Sequence, residues 1–189
     1  MENIFLVLIS SALVNNIVVG HIIGVDPAFE STRKHDAVCG LSVVMLILLP
    51  ITTVIASATT QFILVPLQLQ YLQTFVFVLL IIMIVYGLSA WPKPIFKHRM
   101  NIFLPLAGMN ATVLGTLLLN QQQSFHLFYS FVFGLGTAMG FTLLLALLTA
   151  INTRLDMADI PAPFKGSSIT LITLGLISMA FLGFSGLVI

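Results

Sequence analysis

The chain has 189 residues, 59% of them apolar and only 7% charged, with a net charge of +1. Soluble domains carry about 25% charged residues, so a water-soluble domain is excluded, and without a basic run interleaved with aromatics so is a nucleic-acid partner. A single cysteine rules out an internal disulfide and a cysteine-built metal cage within the chain.

A membrane-spanning helix needs about 20 predominantly apolar residues. The apolar stretches predict six such helices, over residues 4–24, 37–58, 70–90, 102–119, 126–150 and 168–188. Only short loops remain between them. The whole of 1–189 therefore reads as one all-α membrane domain.

The amino terminus, Met1-Glu2-Asn3, has no basic n-region, and no small-residue cleavage site follows, which predicts that helix one is a retained helix and not a signal peptide. It carries Asn15 and Asn16 in mid-span, then Gly20, His21 and Gly24, then Asp26-Pro27. Helix two contains Pro50, with Cys39 beside Gly40 at its start, where a lone cysteine reads as a buried apolar filler. Helix three is uninterrupted and ends at Trp91-Pro92, an interfacial anchor. Helix four holds Pro105, Gly108, Asn110 and Gly115. Helix five contains Gly134, Gly136 and Gly140. The last two make a G-x-x-x-G spacing, which lets two helix backbones approach closely. Helix six has glycines at 175, 183 and 186 and reads the same way.

The seven basic residues fix an orientation. Arg33 and Lys34 lie between helices one and two, Lys93, Lys97 and Arg99 between three and four, and Arg154 and Lys165 between five and six. The connections near 59–69 and 120–125 have none. Lys and Arg accumulate on the cytoplasmic side, so both termini are expected on the other side.

Helices one and four share a pattern, NNIVVG at 15–20 and NATVLG at 110–115, each with an Asn five residues before a Gly. They are three helices apart in the chain, an odd number, so the two segments enter the membrane in opposite directions. This predicts a 3+3 inverted repeat in which helices one and four are interrupted near Asn15–Gly24 and Gly108–Gly115 and meet near the midplane. Irregular backbone at that depth is tolerated only where protein or a polar cavity covers it.

Asn15, Asn16, His21 and Asn110 form the candidate midplane polar site. Asn15 and Asn16 point about 100° apart on a helix, so they serve different contacts: glue between helices, or the lining of an ion or cofactor site. His21 is either an intramembrane functional group or an interfacial residue. Asp26 reads by itself as a solvated residue in an x-Pro turn. The loop 156–166, with two prolines and a glycine, is a stiff turn or a docking surface for a soluble partner. No metal-ligand spacing, phosphate loop or nucleophilic triad occurs in the sequence, so no catalytic residue is assigned.

The strings VNNIVV (14–19), IFLPL (102–106), NATVLG (110–115), ADIPAPFKG (158–166) and MAFLGFSGL (179–187) together resemble the RnfA/NqrE family of membrane subunits, and more nearly its RnfA branch. The resemblance covers nearly the full chain. It implies a six-helix inverted repeat with outward termini in a bacterial inner membrane. It also implies a homologous RnfE/NqrD-like partner, inside a multi-subunit complex that couples redox chemistry to Na+ or H+ translocation. Such subunits carry one cysteine after helix one, in G-x-C-P, and one in helix four, in N-C-A-V. With two from the partner these ligate a 2Fe-2S cluster. Here the two positions hold Asp26, in GVDP, and Ala111, in NATV. The fold and family carry over; the ligands do not, and no cofactor is expected in this chain alone. The expected role is a non-catalytic subunit of a redox-driven ion translocase. The alternative is an inverted-repeat transport or scaffold protein that has lost electron transfer.

The charge pattern is checked by labelling intact cells with an impermeant thiol reagent. In a Cys39→Ser background, cysteines placed at Lys34, Lys97 and Lys165 should stay unmodified until the membrane is permeabilised. Modification at position 34 from outside would reverse the orientation.

Overall fold

The computed structural model describes residues 4–14, 20, 35–90, 100–123 and 126–183. Every element among them is helical. The first helix, α1 (Ile4–Ile9), runs on as a π-helical stretch, Ser10–Val14. Helix α2 (His35–Thr59) is prolonged in the same way by Thr60–Leu64. A 3-10 turn at Gln70–Leu72 leads to α3 (Gln73–Ala90). There follow α4 (Met100–Gly108), α5 (Ala111–Gln122) and α6 (Leu127–Leu155). After a 3-10 turn at Ala162–Phe164 comes α7 (Ser167–Leu182).

Three segments are long and apolar enough to cross a membrane: Ala37–Leu64, Gln70–Ala90 and Leu127–Leu155. The apolar helix α7 is shorter, and the expected fourth span is divided between α4 and α5. The apolar pattern ends helix two at 58 and helix five at 150, and both run further. The cause is the same in each. Thr59 and Thr60 donate their hydroxyls to the Ile55 and Ala56 carbonyls (2.8 and 3.0 Å), and Thr149 and Thr153 donate to Leu145 and Thr149 (2.7 and 2.8 Å). Hydroxyls folded back onto their own helix let polar residues continue it. Pro66, which has no N–H to offer, lies just beyond the helical end of the first segment. The connection expected over 59–69 thus shrinks to 65–69.

The centre of the molecule is α2 lying against α6. Leu41, Val44, Met45, Leu48 and Leu49 on α2, and Phe141, Leu144, Leu145 and Leu148 on α6, are fully buried in one cluster. Two glycines set how closely neighbours approach α6. A methyl added at Gly134 would collide with the Thr53 hydroxyl and stand 3.0 Å from the Leu49 carbonyl oxygen of α2. One added at Gly136 would collide with Ser11 and stand 2.9 Å from the Leu8 carbonyl oxygen. Gly134 and Gly136 are therefore contact points, one for α2 and one for the first helix. On the other side of the core, α4 and α5 pack on α2, and the Phe103 ring fills the space over Gly40.

Helix α3 contributes little to this core. It buries only Phe77 and Ile81, and exposes Phe75, Leu79, Ile82, Met83 and Tyr86. A helix apolar on all sides suits lipid or another protein chain, not water. Cys39 corrects the expectation of a buried filler: it is exposed. Its neighbour Val38 takes the core-facing position, and a step of one residue turns the side chain by about 100°.

Replacing Gly136 by Ala should lower stability by about 1–3 kcal/mol, because the first helix must move off α6. Gly175→Ala, on open surface, should change it by less than ~1 kcal/mol. Thermal unfolding in detergent distinguishes the two; equal effects would remove the close-packing role.

Candidate functional site at a broken helix

The expected interruption of helix four is present and confined to two residues. Pro105 sits inside α4. The helix closes with main-chain bonds from Met109 to the Pro105 carbonyl (3.0 Å) and from Asn110 to the Ala107 carbonyl (3.2 Å). Asn110 then turns extended, with φ −71° and ψ 127°, and α5 starts behind it. Its side-chain oxygen accepts from the Thr112 N–H at 2.9 Å, and its carbonyl from the Val113 N–H at 3.0 Å. Asn is a favoured N-cap because it satisfies an amide that the first helical turn leaves open. Inside a membrane that amide has no water to turn to. Gly115, expected at the far edge of the interruption, lies within continuous α5.

The break has two faces. Asn110 and Thr112 are buried, while Met109 and Ala111 are exposed. Beyond the cap, Thr112, Thr116 and Asn120 recur every four residues and form one buried stripe along α5. The Thr116 hydroxyl donates to the Thr112 carbonyl at 2.7 Å. Asn120 donates from Nδ2 to the buried Ser130 hydroxyl oxygen of α6 at 3.1 Å, which ties the two helices together. Its Oδ1 has no hydrogen-bond partner among the described residues. This stripe is absent from the polar residues singled out in the sequence. Its signal is there all the same, as polar residues at i, i+4 and i+8 within an apolar span.

Of the predicted site residues, Asn110 and Ala111 are adjacent yet face opposite ways, one inward and one outward. Asn15, Asn16, His21 and Asp26 lie outside the described residues, as does the expected meeting of helices one and four. What precedes them is visible: the first helix loosens into its π-helical stretch at Ser10–Val14, with Ser11 buried against α6. Position 111 does not fit an iron ligand, because alanine offers a methyl group with no lone pair. Among the described residues, no three His, Cys, Asp or Glu side chains gather closely enough to hold a metal ion.

On the basic-loop side, 156–166 is held by main-chain bonds, from Met157 to Arg154 (3.2 Å) and from Phe164 to Pro161 (3.0 Å), with Met157 and Phe164 turned outward. Gly166 joins it to α7 at φ +86°, a conformation that a side chain would strain.

A family profile described as "Rnf-Nqr subunit, membrane protein" matches residues 4–188. A protein of Edwardsiella ictaluri is 42% identical over 191 aligned positions, covering 100% of this chain and 99% of its own length. Proteins of Pseudoalteromonas translucida and Photorhabdus laumondii are each 41% identical with the same coverage. All three are named as the A-type subunit of an ion-translocating oxidoreductase complex.

Substituting Asn110 by Ala removes the cap and should cost about 1 kcal/mol, whereas Asn110→Ser keeps an acceptor there and should recover most of that. Thermal unfolding of the two variants tests the cap; equal losses would mean that Oδ1 is not what holds the junction.

Proposed function

The chain belongs to the Rnf-Nqr family of membrane subunits, and on that premise we propose that it is the A-type subunit of an ion-translocating oxidoreductase complex. In this reading it is a multi-pass protein of the bacterial plasma membrane that supports the coupling of electron transfer to Na+ or H+ movement. It brings no iron-sulfur ligands of its own. The observation that carries the assignment is full-length similarity, at 41–42% identity, to relatives that bear that name.

The pairing of helices supports a 3+3 inverted repeat. The first helix of the first half packs on α6 of the second, and the broken helix α4–α5 of the second half packs on α2 of the first. The two long central helices, α2 and α6, occupy equivalent places in their halves and lie against each other. Such an exchange is what a pseudo-twofold axis between the halves produces. The basic loops then lie in the cytoplasm and both termini outside.

A homologous RnfE/NqrD-like protein is the natural neighbour for the exposed surface of α3 and for the outward side of the break at Ala111. At the two positions where the family resemblance implies thiolates, the chain has a carboxylate, Asp26, and a methyl, Ala111. Fe-S clusters are held by thiolates, and a carboxylate suits Mg2+ or Ca2+ better. The chain's part is therefore structural support of the partner, with Asn110 keeping the interrupted helix capped.

The purified protein, alone or with its partner, should give no 2Fe-2S signal from this site in EPR or visible spectra. Asp26→Cys combined with Ala111→Cys is the smallest change that can restore the ligand set, given a partner that keeps its own pair. Stoichiometric iron and sulfide held between helices one and four of the unmodified chain would overturn this reading.

A further inference from the structure

All seven glutamines of the chain fall within 61–73 and 121–123, the two connections that carry no Lys, Arg, Asp or Glu. The fold brings these connections together. Gln70 and Gln73 at the start of the third span, Gln121 and Gln122 at the end of α5, and Thr60 at the end of α2 line a cavity of about 480 Å3, with Val65 and Leu118 as its apolar patches. The Thr60 hydroxyl is committed to the Ala56 carbonyl, so toward the cavity it can only accept. Gln121 has its Nε2 buried without a hydrogen-bond partner among the described residues.

The chemistry of this wall is specific. Carboxamides each present donors and an acceptor, and no charged side chain lies among the lining residues. An anion would find no counter-charge. A single coordinated ion is also far smaller than this cavity, whose volume falls in the range of roughly 300–1,000 Å3 that accommodates molecule-sized groups. A peptide group is the complement of a carboxamide, one donor and one acceptor in a plane. The same turns expose Phe62, Leu67 and Tyr71. Exposed aromatic and aliphatic residues with charge depleted are the composition of a protein interface core.

We infer that this cavity receives an uncharged loop of another protein of the complex, whose main-chain amides pair with Gln70, Gln73, Gln121 and Gln122. The inference rests on membership in a multi-subunit complex and adds where, and by what chemistry, a partner docks. By the charge pattern the contact lies on the non-cytoplasmic face.

The test places a photo-crosslinking benzoylphenylalanine at Tyr71, an exposed aromatic beside the cavity and outside its lining, in the complex in native membranes. An adduct with an uncharged extracytoplasmic loop of a different protein of the complex is the expected result, read by mass spectrometry. Adducts confined to lipid, to a second copy of this chain or to a charged segment overturn it, as does no adduct while partners still co-purify. In parallel, Gln73→Lys and Gln122→Lys should each reduce partner recovery by about tenfold or more, because a charge would be buried unpaired. Gln123→Lys, outside the cavity lining, should leave it unchanged. Equal recovery in all three variants overturns the docking site. Failure of the unmodified chain to capture any partner overturns both this inference and complex membership, so the two failures are distinguishable.

Discussion

Within a bilayer every main-chain N–H and C=O must find its partner inside the protein. The rest of this structure follows from that constraint. It makes each described element helical, and it folds the hydroxyls of Thr52, Thr53, Thr60, Thr137 and Thr149 back onto carbonyls of their own helices. It also decides what a break in a helix must look like. At 109–110 the chain leaves helical geometry for a single step, and the first open amide of the next helix is met at once by the Asn110 side chain. A residue without an acceptor there would leave a buried amide unmet, at the cost of about 1 kcal/mol that losing a cap carries.

The same apolar surroundings remove the usual drive to bring helices together, because lipid tails are as apolar as leucine. Close packing has to take its place. Gly134 and Gly136, two residues apart on α6, present their bare backbone to different neighbours, α2 on one side and the first helix on the other. The central helix therefore touches both at these points, and an apolar cavity lined by Leu8, Ala12, Leu46 and Gly140 lies where the three meet. The Asn120 to Ser130 bond adds a side-chain tie between α5 and α6. Such interhelical bonds contribute about 1 kcal/mol each.

Two polar clusters among the described residues serve different ends. The interior stripe of Thr112, Thr116 and Asn120 belongs to the broken helix and steadies it. The glutamines gather where two short connections between helices meet. Neither place carries a charged side chain.

How much of this is legible in the sequence can be judged from particular residues. The apolar runs determine helix class and the longest spans, because length and composition alone decide whether a segment suits a bilayer. The Pro105, Gly108 and Asn110 cluster locates the interruption, because each residue weakens or ends a helix by a local mechanism. Cys39 and the ends of α2 and α6 depart from what the sequence pattern suggests. A lone side chain's facing depends on which stripe of its helix meets a neighbour, and a threonine near a helix end can either cap a turn or bond back and extend the helix. The Thr112–Thr116–Asn120 stripe has a readable period, but nothing local says that a neighbour covers it. That Gly134 meets α2 and Gly136 meets the first helix was decided only by the tertiary structure, as was the gathering of glutamines from two distant connections around one cavity. Among the described residues, the sequence by itself determined which segments are helical and where one of them must break, since both depend on near neighbours along the chain. Which surfaces touch is set by the mutual fit of whole helices, and no local pattern encodes that.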